Sequence, residues 1–381
     1  MGMETKNVSQ EIVYAKTLDG WDLRIFHYIP RSDPVFQSPV ILCHGLAANK
    51  NSCDFGEMGT PEWERYSLAA FLTQKKSGDE PVFDVWVPEL RGSGRLTFDP
   101  RTHPEKYRWC VDEYIDQDVP AIVGRVQQWY TEQNRSAPQV FWIGKSMGGM
   151  ISYAYGETEA GRRNLKGVVT LGSPVLFGKS DVFLEFLTRV TPRNISIPIR
   201  IMELMEKSAE LREHFKGLGV NPRNVDPEVF RAYLQVGLCD VLSSKVLSHF
   251  SLFFKHSNFS RYPRYPWMYD IFGRVPGIKK LVTPYSYRDH LHQFTTPLLA
   301  IAGGQDKMAP KQDMKYVVEH VGSSDVTYLE FSKEAGYRTD YGHLDLNIGV
   351  HAWEDVYPKI DEWLRKRSAL ERRSDYPMVT P

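Results

Sequence analysis

Val140-Phe141-Trp142-Ile143-Gly144-Lys145-Ser146-Met147-Gly148-Gly149-Met150 is a run of apolar residues that ends in G-x-S-x-G and passes into a small-residue helical pattern. The five-letter motif alone is common by chance. Its position between a strand and a helix is what a nucleophile elbow requires, a tight turn that lifts a serine hydroxyl clear of the sheet. Gly144 and Gly148 leave room for that turn, and Gly149 lets the next helix lie close to the strand. The competing reading is a buried strand and turn with an ordinary serine.

Outward from this stretch, short apolar runs alternate with helical patterns. Glu11–Leu18 and Trp21–Ile29 are β-rich and are separated by Asp19-Gly20, a hairpin signal. Pro39–Cys43, Phe83–Pro88, Leu165–Leu171, Leu298–Ala302 and Val326–Phe331 read as further strands. Helices are predicted over Pro61–Lys75, about Asp116–Glu132, Pro310–His320 and Trp353–Arg365, and Ile199–Phe215 reads as a helix-like run. Asp118, before Val119-Pro120, suits a helix start. The alternation predicts an α/β fold with a mostly parallel central sheet flanked by helices. It stops between 178 and 292, where helical, aromatic-rich sequence takes over. The expected organisation is therefore a core of 1–177 and 293–381, with 178–292 inserted as a helical cap over the carboxyl end of the sheet, where ligands of such sheets bind.

Composition narrows the function classes. The chain has 381 residues, 42% hydrophobic and 25% charged, which suits a globular protein with a sizeable core. Lysine plus arginine equals aspartate plus glutamate, 47 each, so no net field favours nucleic acid or an acidic membrane. Cys43, Cys53, Cys110 and Cys239 form no C-x-x-C pair and no zinc-ligand spacing; they read as free thiols in a reducing compartment. The N-terminal MGMETKNVSQE has no secretory character, and Lys6 stands where a myristoylation signal wants Ser or Thr. No apolar run approaches the roughly 20 residues of a membrane span. A cytoplasmic protein without stable membrane insertion is expected, and the sequence sets no oligomeric state.

A serine hydroxyl is a poor nucleophile and needs a base, itself oriented by a carboxylate. Asp306 follows a buried-type strand in Ala302-Gly303-Gly304-Gln305-Asp306, where paired glycines can turn a carboxylate out at the sheet edge. It competes with the reading of a plain helix cap and with Asp181 as an alternative acid. His343 sits behind Gly342 in a turn after the last strand. Its competitors are His320, at a predicted helix C-terminus, and His351, where the last helix begins. Two backbone N–H groups are expected to face a developing oxyanion: Met147, next after the nucleophile at a helix N-terminus, and Leu46, in the loop after Cys43. The His44 side chain reads as a loop-fixing group. Lys145 has two readings, a side chain extending into polar surroundings or a cation that favours an anionic substrate group. Glu89 and Arg91 read as a salt-bridged structural loop.

His44-Gly45-Leu46, the Asp84-Val85-Trp86 to Arg91-Gly92-Ser93-Gly94 segment, Gly144 to Gly148, Gly303 to Asp306 and Gly342-His343 together resemble the α/β-hydrolase superfamily. The resemblance covers the chain except the cap and the termini. It implies a serine nucleophile, an acid and a base, falling on Ser146, Asp306 and His343. His44-Gly45-Leu46 and Asp118-Val119-Pro120-Ala121 resemble acid-lipase-like and lysophospholipase-like enzymes. The stretch from Gly342-His343-Leu344-Asp345 to Glu362-Trp363-Leu364 is similar to polyhydroxyalkanoate synthases. Those carry a cysteine at the elbow, where this chain has Ser146. The leading expectation is a serine hydrolase of carboxylic esters, acting on a small-molecule or lipid-like substrate without metal or organic cofactor. An acyltransferase or thioesterase-type enzyme is the second, and a non-catalytic binding protein on the same scaffold the third. The aromatic residues of the cap either pack it to the sheet, line an apolar acyl pocket or lid, or touch lipid through an exposed patch.

Overall fold

A computed structural model describes residues 8–368 apart from 31, 33, 37, 78, 79, 95, 179–195, 274 and 276. Asp181 lies outside the described residues.

Eight strands form one sheet: β1 (Val8–Lys16), β2 (Asp22–Pro30), β3 (Val40–Cys43), β4 (Val85–Pro88), β5 (Val140–Lys145), β6 (Leu165–Leu171), β7 (Leu298–Gly303) and β8 (Val326–Phe331). Their spatial order is β1-β2-β4-β3-β5-β6-β7-β8. The first hairpin is antiparallel, with Lys16 opposite Asp22 across Asp19-Gly20. Gly20 has φ +93°, which the turn requires and a side chain would resist. β2 pairs antiparallel with β4, and the remaining neighbours are parallel.

The apolar run that opens the elbow is continuous because both faces of β5 are covered. Every residue of Val140–Lys145 is buried. Trp142 packs into the apolar layer that holds Val126 and Met150, whereas Phe141 and Ile143 point into the opposite layer with Leu42, Ile360 and Trp363. Side chains alternate across a strand, so a strand between two helical layers must be apolar throughout.

The main helices beside the sheet are α1 (Pro61–Tyr66), α2 (Leu68–Thr73), α3 (Val119–Thr131), α4 (Met147–Gly156) and α5 (Glu159–Asn164). Between β6 and β7 run α6 (Ile201–Lys207), α7 (Ala209–Gly219), α8 (Pro227–Val236), α9 (Ser244–His256) and α10 (Pro266–Phe272). The C-terminal part adds α11 (Lys311–His320), α12 (Asp345–Ile348) and α13 (Ala352–Ser368).

Three helix expectations are corrected. The single helix over Pro61–Lys75 is two, broken at Ser67, whose backbone is extended and whose Oγ accepts from Ala70 N–H at 2.9 Å. Ser208 divides α6 from α7 in the same way, accepting from Leu211 N–H. A serine that can cap the following turn competes with continuing the helix. Asp118 does not start α3. Helical structure already runs from Val111 through a π-turn over Tyr114–Asp118, and the Asp118 carboxylate is occupied by Arg91.

The chain leaves β3 toward β4 on one side and leaves β5 toward β6 on the other. The carboxyl ends of β3 and β5 lie side by side, with Cys43 opposite Gly144. A crevice opens where successive connections diverge in this way. The loop at His44-Gly45-Leu46 and the Ser146 turn both start there.

Candidate active site

Ser146 joins β5 to α4 with φ +53° and ψ −121°. A non-glycine residue in that region costs on the order of 1–3 kcal/mol and persists only where its surroundings hold it. The neighbours that hold it explain two of the glycines. A Cβ on Gly144 would lie 2.3 Å from Gly149 N, and one on Gly148 would lie 2.5 Å from the carbonyl oxygens of both Cys43 and His44. Gly45 reaches the turn from the other side: a Cβ there would meet the Ser146 Cβ at 2.9 Å. Leu46 and Met147 therefore flank Ser146, on the β3 loop and at the first position of α4. Among the described residues, neither of their amides has an intramolecular acceptor.

His343 Nδ1 lies 2.8 Å from Asp306 Oδ2, with both side chains buried. The other Asp306 oxygen, Oδ1, accepts from Met308 N–H at 2.9 Å and Ala309 N–H at 2.7 Å. The capping reading and the base-orienting reading of Asp306 are thus compatible, one per oxygen, although α11 itself begins later, at Lys311. Burial holds the His343 imidazole below its ordinary pKa of 6.5; Asp306 opposes that shift and the Lys145 ammonium adds to it. The ring is neutral at neutral pH, as a proton acceptor must be. His320 is exposed, stacks on Tyr316 and bonds its carbonyl, and His351 lies beside Glu354, so neither approaches Asp306.

Ser146 and His343 line the same cavity, about 100 Å³ in volume and partly open to solvent. Its walls are almost wholly apolar and come from both sides: Leu46, Met150 and Met308 from the sheet side, and Met205, Phe215 and Phe250 from α6, α7 and α9. The few polar side chains on it include Ser52 and Tyr233 besides Lys145, Ser146 and His343.

Three contributors were missed, Gly172, Asp345 and the 219–224 segment, and Lys145 does not extend into polar surroundings as one of its readings had it. Gly172, φ +59°, follows β6; a Cβ there would stand 2.8 Å from Asp306 Oδ2 and 3.0 Å from His343 Nδ1. Lys145 is buried, and its Nζ donates to the backbone carbonyl of His343. Burial pushes its pKa down to about 8, against the pull of Asp306 and Asp345. Asp345 accepts from Gly342 N–H at 2.8 Å and Asn224 Nδ2 at 3.0 Å, and Leu344 N–H bonds Gly219 O at 2.7 Å. The His343 turn is therefore pinned to β5 on one side and to the 219–224 segment on the other. Each link joins residues far apart in the chain, so only Gly172, in Gly172-Ser173-Pro174 after a strand, left a local signal.

The loop-fixing reading of His44 matches its contacts: Nε2 accepts from Leu90 N–H at 3.1 Å, and burial lowers its pKa to about 4. Glu89 and Arg91 do not pair with each other. Glu89 takes the half-buried Arg24, and Arg91 takes the buried Asp118 and the exposed Asp19.

This strand order with a serine turn after β5 defines an α/β hydrolase. The family model for the alpha/beta hydrolase fold matches residues 38–335, and the chain belongs to that family. The matched range includes Leu46, Ser146 and Asp306 and stops short of His343. A search of curated protein sequences finds no match. Among solved structures, the chain is similar in fold to a thermophilic esterase from Thermogutta terrifontis (TM-score 0.55, 17% identity, 94% of this chain and 99% of that one). It is similar also to an esterase from Exiguobacterium antarcticum (TM-score 0.54, 15% identity, 94% and 99%). A monoacylglycerol lipase from Paleococcus ferrophilus follows (TM-score 0.51, 16% identity, 87% and 97%). The resemblance of the C-terminal stretch to polyhydroxyalkanoate synthases finds no support in these matches.

Proposed function

We propose that the protein hydrolyses carboxylic esters through an acyl-enzyme on Ser146, with an apolar acyl chain of medium or greater length in the cavity. Ser146 Oγ attacks the ester carbonyl, and His343 Nε2 takes its proton. Asp306 holds Nδ1–H, which fixes the tautomer and stabilises the imidazolium. The N–H groups of Leu46 and Met147 receive the oxyanion. His343 then protonates the leaving alcohol, and water, deprotonated by the same base, releases the acid. Lys145 acts as a positioning residue, tying the turn that carries the base to the strand that carries the nucleophile.

The observation that carries this reading is the 2.8 Å His343–Asp306 pair on the wall that also presents the strained Ser146. The cavity lining supports the substrate class: an apolar chain gains about 0.8 kcal/mol per buried methylene there, while a charged one would lose its hydration. The helical segment between β6 and β7 serves in this reading as a cap. The test is Ser146→Ala assayed on p-nitrophenyl esters of increasing acyl length. Loss of turnover in a folded variant is expected, together with a wild-type preference that rises beyond acetate. Undiminished turnover by the variant refutes the assignment.

A further inference from the structure

α9 lends Leu247, Phe250 and Phe254 to the cavity wall, but its His249 lies outside that lining. His249 is buried against Cys110-Val111-Asp112, where the helical stretch leading into α3 begins. Its Nδ1 faces the N–H of Val111, 138 residues earlier in the chain, at 3.3 Å. A ring nitrogen of His249, Cys110 Sγ and a carboxylate oxygen of Asp112 lie within 4.8 Å of one another. The sequence shows no ligand spacing here because the three meet only through the packing of α9. Neither Cys110 nor Asp112 lines the cavity.

The imidazole and the carboxylate each have a donor atom to spare. His249 Nε2 faces the Ser260 carbonyl at 2.9 Å, so it carries the proton and leaves the lone pair on Nδ1. Phe253 and Tyr262 pack on the ring and fix its plane, and burial lowers its pKa to about 3, so it is neutral. The bond from Val111 N–H is at the long end of the range and is readily replaced. Asp112 Oδ2 accepts from Tyr262 N–H at 2.9 Å, whereas Oδ1 is shut off from solvent with no partner among the described residues. A buried carboxylate oxygen in that position calls for a water or an ion. Burial pushes Asp112 up to about 6 and raises the Cys110 thiol as well, so both lack a counter-ion. The nearby cations are engaged elsewhere: Arg261 pairs with Asp116, and Lys245 lies over the Tyr262 ring.

We propose that Cys110, Asp112 and His249 bind a zinc ion that fastens α9 to the helical stretch leading into α3. A thiolate and a carboxylate carry two negative charges, which a divalent ion cancels. A thiolate with an imidazole favours zinc over magnesium or calcium. Ligands about 2.0–2.3 Å from zinc stand roughly 3.4–3.7 Å apart, so the three atoms must close by about 1 Å. The Cys110 S–H proton leaves to solvent as the zinc–sulfur bond forms, and water completes the coordination. The bond from His249 Nε2–H to the Ser260 carbonyl is the outer support that metal-bound imidazoles use. The ion is structural, and the ester chemistry takes no step through it.

The test is titration of the reduced full chain with Co2+, whose bond to a thiolate gives a near-ultraviolet charge-transfer band, followed by displacement with Zn2+. The expected result is one ion per chain, a band that zinc bleaches, and a thermal midpoint that rises with zinc concentration. Cys110→Ser leaves Cys43, Cys53 and Cys239 in place and is expected to lose the band and to bind zinc about a hundredfold or more weaker. Asp112→Asn, which keeps an acceptor for Tyr262 N–H, is the second variant should the first not fold, and is expected to weaken zinc binding by about tenfold or more. A wild-type chain that takes up neither ion, or that binds cobalt without the thiolate band, overturns the proposal. So does wild-type zinc affinity in either folded variant.

Discussion

Asp306→Asn separates the two duties of that carboxylate. Oδ1 accepts two backbone N–H groups, from Met308 and Ala309, and Oδ2 faces His343 Nδ1. An asparagine keeps the shape but has one oxygen and one NH2. The two backbone donors select the oxygen for the Oδ1 position, because the flipped amide would leave both unpaired at about 1–3 kcal/mol each. The NH2 then points at His343 Nδ1 and donates to it. The imidazole must accept at Nδ1 and carry its proton on Nε2, the nitrogen that should take the proton of Ser146. Turnover is expected to fall by about four orders of magnitude, or about 5.5 kcal/mol of barrier. The hydrogen-bond count is unchanged, so stability should move by less than about 1 kcal/mol. Steady-state hydrolysis of a p-nitrophenyl ester and a thermal melt read the two quantities. If Asp306 serves only its turn, the isosteric amide keeps its activity. A loss of less than about tenfold would refute the base-orienting role.

Further outcomes follow from the same geometry. Because burial places His343 below its ordinary 6.5, the acid limb of kcat/KM should have its midpoint below pH 6.5, with activity lost as the imidazole protonates; a midpoint above that value contradicts the electrostatics. Lys145→Met removes the cation that lowers the His343 pKa, so the limb should shift toward higher pH; a folded variant with an unmoved limb shows that Lys145 does not act on the base. Gly148→Ala drives a Cβ to within 2.5 Å of two backbone carbonyl oxygens and should destabilise by about 2 kcal/mol or more, read as a lowered thermal midpoint; an unchanged melt argues against the tight elbow. His44, held at a pKa of about 4, binds fewer protons folded than unfolded below pH 6.5. Its contribution should therefore be lost as pH falls from 6.5 toward 4, and in His44→Asn, measured by denaturant titration, stability should depend less on pH over that window.

What the sequence determined by itself was local. A strand buried on both faces is apolar without alternation, and a turn that admits no Cβ demands glycine, so β5, the Ser146 elbow and α4 were readable from eleven consecutive residues. The turns at Asp306 and His343 were readable for the same reason, and the Asp19-Gly20 hairpin because its turn needs a positive φ. Where side chains compete with the backbone, as at Ser67 and Ser208, periodicity alone ran two helices together. The placement of β4 outside β3 and the meeting of His343 with Asp306 rest on contacts between distant residues. So do the burial of Lys145 against the His343 carbonyl and the tie from Asp345 to Asn224. Local propensity carries no record of which distant group ends up beside which; that is decided when the two apolar layers close on the sheet and buried polar groups must find partners.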